Sequence, residues 1–153
     1  MWEWEEGVAE AISTFRTAVE ICEQNDSFVF NHNEVILYKW VNEYDPELFK
    51  RIQKLVKAGK WHIMGGWYLQ PDCNMPCGES FVRQILLGKA YFKKYFNAEP
   101  KTAINFDPFG HTPFHHFIIR RATESPVPVF SALPRKNGWK TVLEVGGIPR
   151  PVC

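Results

Sequence analysis

The sequence predicts an α/β fold with a mostly parallel sheet. Two features carry that prediction: short apolar strands alternate with amphipathic helices, and each strand gives way to a polar loop. From Glu6 to about Gln24, Val8, Ala11, Ile12, Phe15, Ala18, Val19 and Cys22 recur at three- and four-residue spacing, which is one face of a helix. Ser27–Asn31 then reads as a short buried strand. Asn33 is a candidate cap for a helix through Val35, Leu37, Tyr38 and Val41. Asp45 and Pro46 open another, with Asp at the N-cap and Pro at the first helical position. Leu48, Phe49, Ile52, Leu55 and Val56 form its apolar face, and Gly59 stops it.

Trp61–Met64 is the second strand candidate, ending at Gly65-Gly66, and a loop rich in Pro, Asp, Asn and Cys follows from Trp67 to Cys77. A helix is expected from about Glu79 to Phe96, and a third strand over Thr102–Phe106. In sheets of this kind ligands gather at the carboxyl ends of the strands. Three polar segments leave those ends: Asn31–Glu34, Gly65–Cys77 and Asp107–His111. Beyond His111, Phe114–Arg121 has helical character, but the Pro- and Gly-rich remainder shows no clean period.

A length of 153 residues predicts one domain with one core. The charged share of 23% beside 45% hydrophobic residues is ordinary globular usage and argues against disorder. With a net charge of +1 and no Lys/Arg stripe, no nucleic-acid partner is expected. No run of 18 apolar residues suggests a membrane span, and the acidic, aromatic Met1–Glu6 is unlike a signal peptide, so a cytoplasmic location is expected. The four cysteines are expected to be free thiols.

Asp107 is the most informative residue. A carboxylate directly after an apolar strand, with Pro and Gly behind it, suits a nucleophile, a metal ligand, or equally a helix cap or turn. With His111 it begins a metal site, but zinc needs three or four ligands. Cys73 and Cys77, with His111, His115 and His116, admit a structural-zinc reading that lacks the usual second ligand pair. Trp67, Tyr68 and Asp72 suit a sugar, rings for stacking and a carboxylate for hydroxyls. They equally suit a packed strand end followed by a turn. Glu79 favours the dipole of its helix and needs no other role. His62 reads as a packed core histidine, and His32 and Glu34 as strand-end residues.

Two stretches decide among these. Residues 65–84, Gly-Gly-Trp-Tyr-Leu-Gln-Pro-Asp-Cys-Asn-Met-Pro-Cys-Gly-Glu-Ser-Phe-Val-Arg-Gln, resemble the loop–helix unit of glycoside hydrolase family 38, the α-mannosidases. Residues 104–111, Ile-Asn-Phe-Asp-Pro-Phe-Gly-His, resemble that family's nucleophile motif. The resemblance covers residues 1–112 and implies part of a seven-stranded β/α barrel. It further implies retaining hydrolysis of α-mannosides through a glycosyl-enzyme intermediate on Asp107, which also binds zinc, with substrate contacts at Trp67, Tyr68, Asp72 and His111.

The chain also departs from the family pattern. The family's first zinc ligands lie in a His-x-Asp-x-x-Trp motif just ahead of a segment like residues 2–7, and its general acid and last zinc histidine lie downstream. One of four expected zinc ligands is therefore anticipated here, and the isolated chain is expected to be inactive. Residues 113–153 do not match the family's continuation and read as a divergent, frameshifted or poorly ordered tail. An incomplete barrel predicts exposed strand edges and self-association. A non-catalytic sugar-binding remnant and a small zinc-stabilised interaction module are the alternative functions.

Overall fold

In the computed structural model, which describes residues 3–106, 129–135 and 138–140, the elements alternate α1, β1, α2, α3, β2, α4, β3, β4, β5. Helix α1 covers Trp4–Gln24 and buries Phe15, Ala18, Val19 and Cys22, the stripe its periodicity predicts. At its end the Asn25 side-chain oxygen accepts from both the backbone N–H and the hydroxyl of Ser27, at 3.0 and 2.8 Å. That turn holds the start of the apolar run outside the sheet. Strand β1 is accordingly Phe30–Glu34, not the expected Ser27–Asn31, and its pairing begins with Phe30 opposite Trp61.

Helix α2, Val35–Tyr44, follows with Glu34 at its N-cap. Asn33, expected in that capping role, is instead a buried strand residue. Helix α3, Pro46–Lys57, starts as its sequence requires, with Asp45 accepting from the Leu48 N–H at 3.0 Å. Gly59, with a φ of +74°, turns the chain towards β2.

Strand β2 runs Trp61–Trp67, straight through the two glycines expected to end it. Its pairing with β1 is parallel and slips between His32 and Glu34. Gly65 lies at that irregularity with a φ of +78°, a conformation that only glycine adopts without strain. Helix α4, Gly78–Phe96, returns across β2 and ends at Asn97 in the left-handed conformation. Strand β3, Ala103–Phe106, pairs in parallel with β4, Val129–Arg135, and β4 pairs antiparallel with β5, Gly138–Lys140. β4 and β5 arise where periodicity predicts no element, because pairing of β4 with β3 and of β5 with β4, rather than a local pattern, defines them.

The described strands thus form two small sheets, β1-β2 and β3-β4-β5. Side chains join them: Trp67 Nε1 donates to the Ile104 carbonyl at 2.9 Å, and the Gly65 N–H donates to Thr102 Oγ1 at 3.3 Å. Behind β1 and β2 lies an aromatic core in which Phe15 meets Phe30, Tyr38 and Trp61, mostly edge to face. Tyr38 is fully buried, yet its hydroxyl is satisfied by the Trp61 indole N–H at 2.9 Å and the His32 carbonyl at 3.4 Å. His62, expected in the core, faces out instead, because strand alternation places Trp61 and Ile63 on the helix side.

Two glycines set how closely α4 approaches β2. A Cβ at Gly88 would stand 1.8 Å from the Gly66 carbonyl oxygen and 2.9 Å from the Trp67 carbonyl carbon, both rigid backbone. Gly88→Ala is therefore expected to destabilise the chain by at least about 3 kcal/mol, since backbone must move. Gly7→Ala, in α1 with open space around the new methyl, is expected to add about 0.5–1 kcal/mol. Urea denaturation of both variants checks the pair; a tolerated Gly88→Ala would mean that α4 does not pack this tightly.

Candidate functional site

The segment leaving the carboxyl end of β2 spans residues 68–77 and touches four elements. The Tyr68 N–H donates to the Gln84 carbonyl of α4 at 3.2 Å, and the Tyr68 carbonyl accepts from the Ile36 N–H of α2 at 3.0 Å. The Leu69 N–H donates to the Gln84 side chain at 2.8 Å. One residue on, the Gln70 N–H donates to the Glu34 carboxylate at 2.9 Å, which pins the loop to the end of β1. Cys73 accepts from the Asn105 amide at 2.8 Å, which pins it to β3. The loop leaving β2 is thereby held by its sheet partner β1 and by β3 of the second sheet.

Within it, Trp67 is 1% exposed, its ring edge against Phe81 of α4. It packs the strand end and offers no ring face to a ligand. Tyr68 is half-buried against the core, and its hydroxyl accepts from Lys39 at 3.1 Å, with the same ammonium 5.5 Å from the ring centroid. Asp72 is partly exposed and makes a turn in which its carboxylate accepts from the Asn74 N–H at 2.8 Å. Asp107 and His111, expected as nucleophile and substrate contact, lie outside the described residues, as do His115, His116 and the stretch Phe114–Arg121 with its helical character.

The two loop cysteines are not a matched pair. Cys73 is buried, and desolvation pushes its thiol up; Cys77 is exposed at the N-cap of α4, where Ser80 holds it down. Among the described residues no three His, Cys, Asp or Glu side chains gather as a metal site. Glu79 instead pairs with Arg83 one turn along, at 2.9 Å. The described residues alone do not build a zinc centre.

Three polar residues to which sequence reasoning gave no site role prove central to this end of the strands. Glu34 is partly buried, and desolvation pushes its carboxyl above the usual carboxylate range, opposed by the Gln70 N–H. Asn33 and Asn105 are 8% and 1% exposed, and each keeps one side-chain atom, Nδ2 and Oδ1 respectively, without a hydrogen-bond partner among the described residues. Their signal in the sequence is slight: Asn33 and Glu34 close a largely polar strand, and Asn105 is the one polar residue of β3. His32 packs edge-on to Phe15 and Tyr38, and its Nδ1 accepts from the Asn33 and Glu34 N–H groups at 3.0 and 3.4 Å. The ring must be neutral and carry its proton on Nε2.

Residues 1–123 match the family model described as the glycosyl hydrolases family 38 N-terminal domain. Alpha-mannosidase G of Dictyostelium discoideum is 31% identical over 120 residues, 78% of this chain and 11% of that protein. Alpha-mannosidase 2C1 of Mus musculus is 31% identical over 112 residues, 73% of this chain and 11% of the relative. The chain thus spans about a tenth of the length of these curated relatives. Among solved structures, an alpha-mannosidase from Enterococcus faecalis V583 superposes with a TM-score of 0.72 at 23% identity, over 85% of this chain and 14% of that one. The 4-alpha-glucanotransferase of Thermococcus litoralis superposes with a TM-score of 0.68 at 18% identity, over 95% of this chain and 25% of that one. These two likenesses concern the fold.

The neutral His32 makes stability depend on pH. Burial pushes its imidazole from 6.5 down to about 4, so the unfolded chain binds the extra proton between those values. Its contribution is fully present above about pH 6.5 and is lost as pH falls towards 4, on the order of 3 kcal/mol in all. Glu34, shifted upward, acts in the opposite sense and loses its contribution as pH rises. The His32 part is isolated by comparing wild type with His32→Asn, which keeps an acceptor but does not titrate. The expected result is a stability difference that favours the wild type less at pH 4.5 than at pH 7; a constant difference would refute a neutral, buried ring.

Proposed function

We propose that this chain, which belongs to the glycosyl hydrolase family 38 N-terminal domain family, is a part of an α-mannosidase catalytic domain, and that its parallel strands are part of a seven-stranded β/α barrel. The observation that carries the reading is the family match over residues 1–123, which takes in both long motifs. The geometry supports it: the loop of the first motif leaves the carboxyl end of a parallel strand, and the second motif begins on a strand that the Trp67 indole joins to it by a hydrogen bond.

In this reading Asp107 attacks the anomeric carbon of a terminal α-mannoside and carries the glycosyl-enzyme intermediate, which water then releases with retention. Asp72, with Tyr68 and His111, accepts and orients sugar hydroxyls, and buried Trp67 supports the strand end that Tyr68 and Asp72 follow. Zinc is the cofactor that the resemblance implies, and Asp107 would be its one ligand in this chain. A single carboxylate holds zinc weakly.

A nucleophile without a general acid leaves the departing oxygen unprotonated, which forfeits a factor of about 10²–10⁴. Together with a single zinc ligand in place of four, this leaves the 153-residue chain on its own without measurable turnover. Incubation with an α-linked mannobiose, whose departing sugar hydroxyl needs a proton, with and without added zinc, is expected to release no free mannose above buffer; zinc-dependent release would contradict this. Methyl α-mannoside is expected to shift the amide resonances of residues 68–77 while methyl α-glucoside does not, and equal responses to the two sugars would contradict a mannoside site.

A further inference from the structure

We propose that Glu34 and Asn105 are positioning residues that hold Asp72 in place over the carboxyl end of β2. The pinning stands on geometry alone; that Asp72 serves an α-mannoside rests on the function proposed above. Asp72 sits between two anchors. Two residues before it, the Gln70 N–H donates to the Glu34 carboxylate at 2.9 Å. One residue after it, Cys73 accepts from Asn105 at 2.8 Å. Glu34 ends β1 and Asn105 lies in β3, so the loop leaving β2 is fastened to a strand of each of the two sheets.

The choice of residues argues that this fastening is more than packing. Glu34 is a carboxylate in a partly buried position, and no salt bridge among the described residues matches its charge. A neutral amide would accept the same bond at a lower desolvation cost. Asn105 is 1% exposed and spends one amide hydrogen on a thiol, while its Oδ1 has no partner among the described residues. An orphaned buried acceptor costs about 1–3 kcal/mol that an apolar strand residue would avoid. Two costly polar side chains converge on the residues flanking one partly exposed carboxylate. The turn bond from the Asn74 N–H to Asp72 then sets the carboxylate's own direction. A binding carboxylate held this way enters recognition with its loop entropy already spent.

The test is amide hydrogen exchange on the full chain, read residue by residue. In the wild type the Gln70 amide is expected to exchange at least tenfold more slowly than an unstructured amide, and an unprotected Gln70 overturns the proposal without any mutation. Glu34→Ala is expected to speed exchange at Gln70 and Asn74 tenfold or more while the Ile52 and Phe92 amides of the core helices stay unchanged. Glu34→Gln, which keeps the acceptor, is expected to restore protection, and Asn105→Ala to loosen Asn74 more than Gln70. Unchanged exchange at Asn74 in both Glu34→Ala and Asn105→Ala overturns the pinning. Methyl α-mannoside is then titrated into the same samples. If the pinning behaves as expected but the wild type shows no response to the sugar, the mannoside reading fails and the positioning role stands.

Discussion

The hydrogen bond from the Trp67 indole to the Ile104 carbonyl, 2.9 Å long and fully buried, is the interaction on which the rest of this structure depends. β2 and β3 belong to separate sheets among the described residues, with no backbone ladder between them. A side chain must therefore register one against the other. Trp67 can do so because Gly66 and Gly88 let α4 lie directly on the β2 backbone, while Phe81 closes over the indole edge. Remove the bond and a buried carbonyl loses its partner, at about 1–3 kcal/mol. More consequentially, the loops at the ends of β2 and β3 lose their common frame.

That frame has electrostatic consequences as well as steric ones. The carboxyl ends of β1, β2 and β3 bring Asn33, Glu34 and Asn105 into surroundings that disfavour them, and the fold accepts this. The helix side of the same strands is different: rings meet edge to face, and the fully buried Tyr38 hydroxyl is satisfied. The aromatic core lies behind the strands, with the Tyr91 hydroxyl unpartnered among the described residues, and the two buried amides with unpaired atoms lie towards the strand ends. That division is what a ligand-binding end of an α/β sheet requires, and it fits membership of a family whose relatives are α-mannosidases.

The helices were legible because each depends on a local pattern. The apolar stripe of α1 and the Asp45-Pro46 start of α3 are readable within a few residues of chain. The strands were less so. β1 was displaced because Phe28-Val29-Phe30 looks like strand, whereas the Asn25–Ser27 turn keeps the first part of it outside the pairing. β2 was cut short because two glycines read as a stop, when one of them sits at an irregularity inside the strand. The loop motif itself was legible as sequence, but not its fastening. A hydrogen bond between Glu34 and Gln70, thirty-six positions apart, leaves no trace in spacing. Nor does spacing say that Trp67 turns into the core while Asp72 stays at the surface.

The seating of β3 against β2 is tested most directly by observing the Trp67 indole in solution. Through-bond coupling between its Nε1 and the Ile104 carbonyl carbon, with slow exchange of the indole proton, is the predicted result; Trp4, 63% exposed, supplies the fast-exchanging reference. An indole proton on Trp67 that exchanges as fast as that of Trp4, with no coupling to Ile104, would mean that β3 is not seated against β2. The joint site at their ends would then not exist.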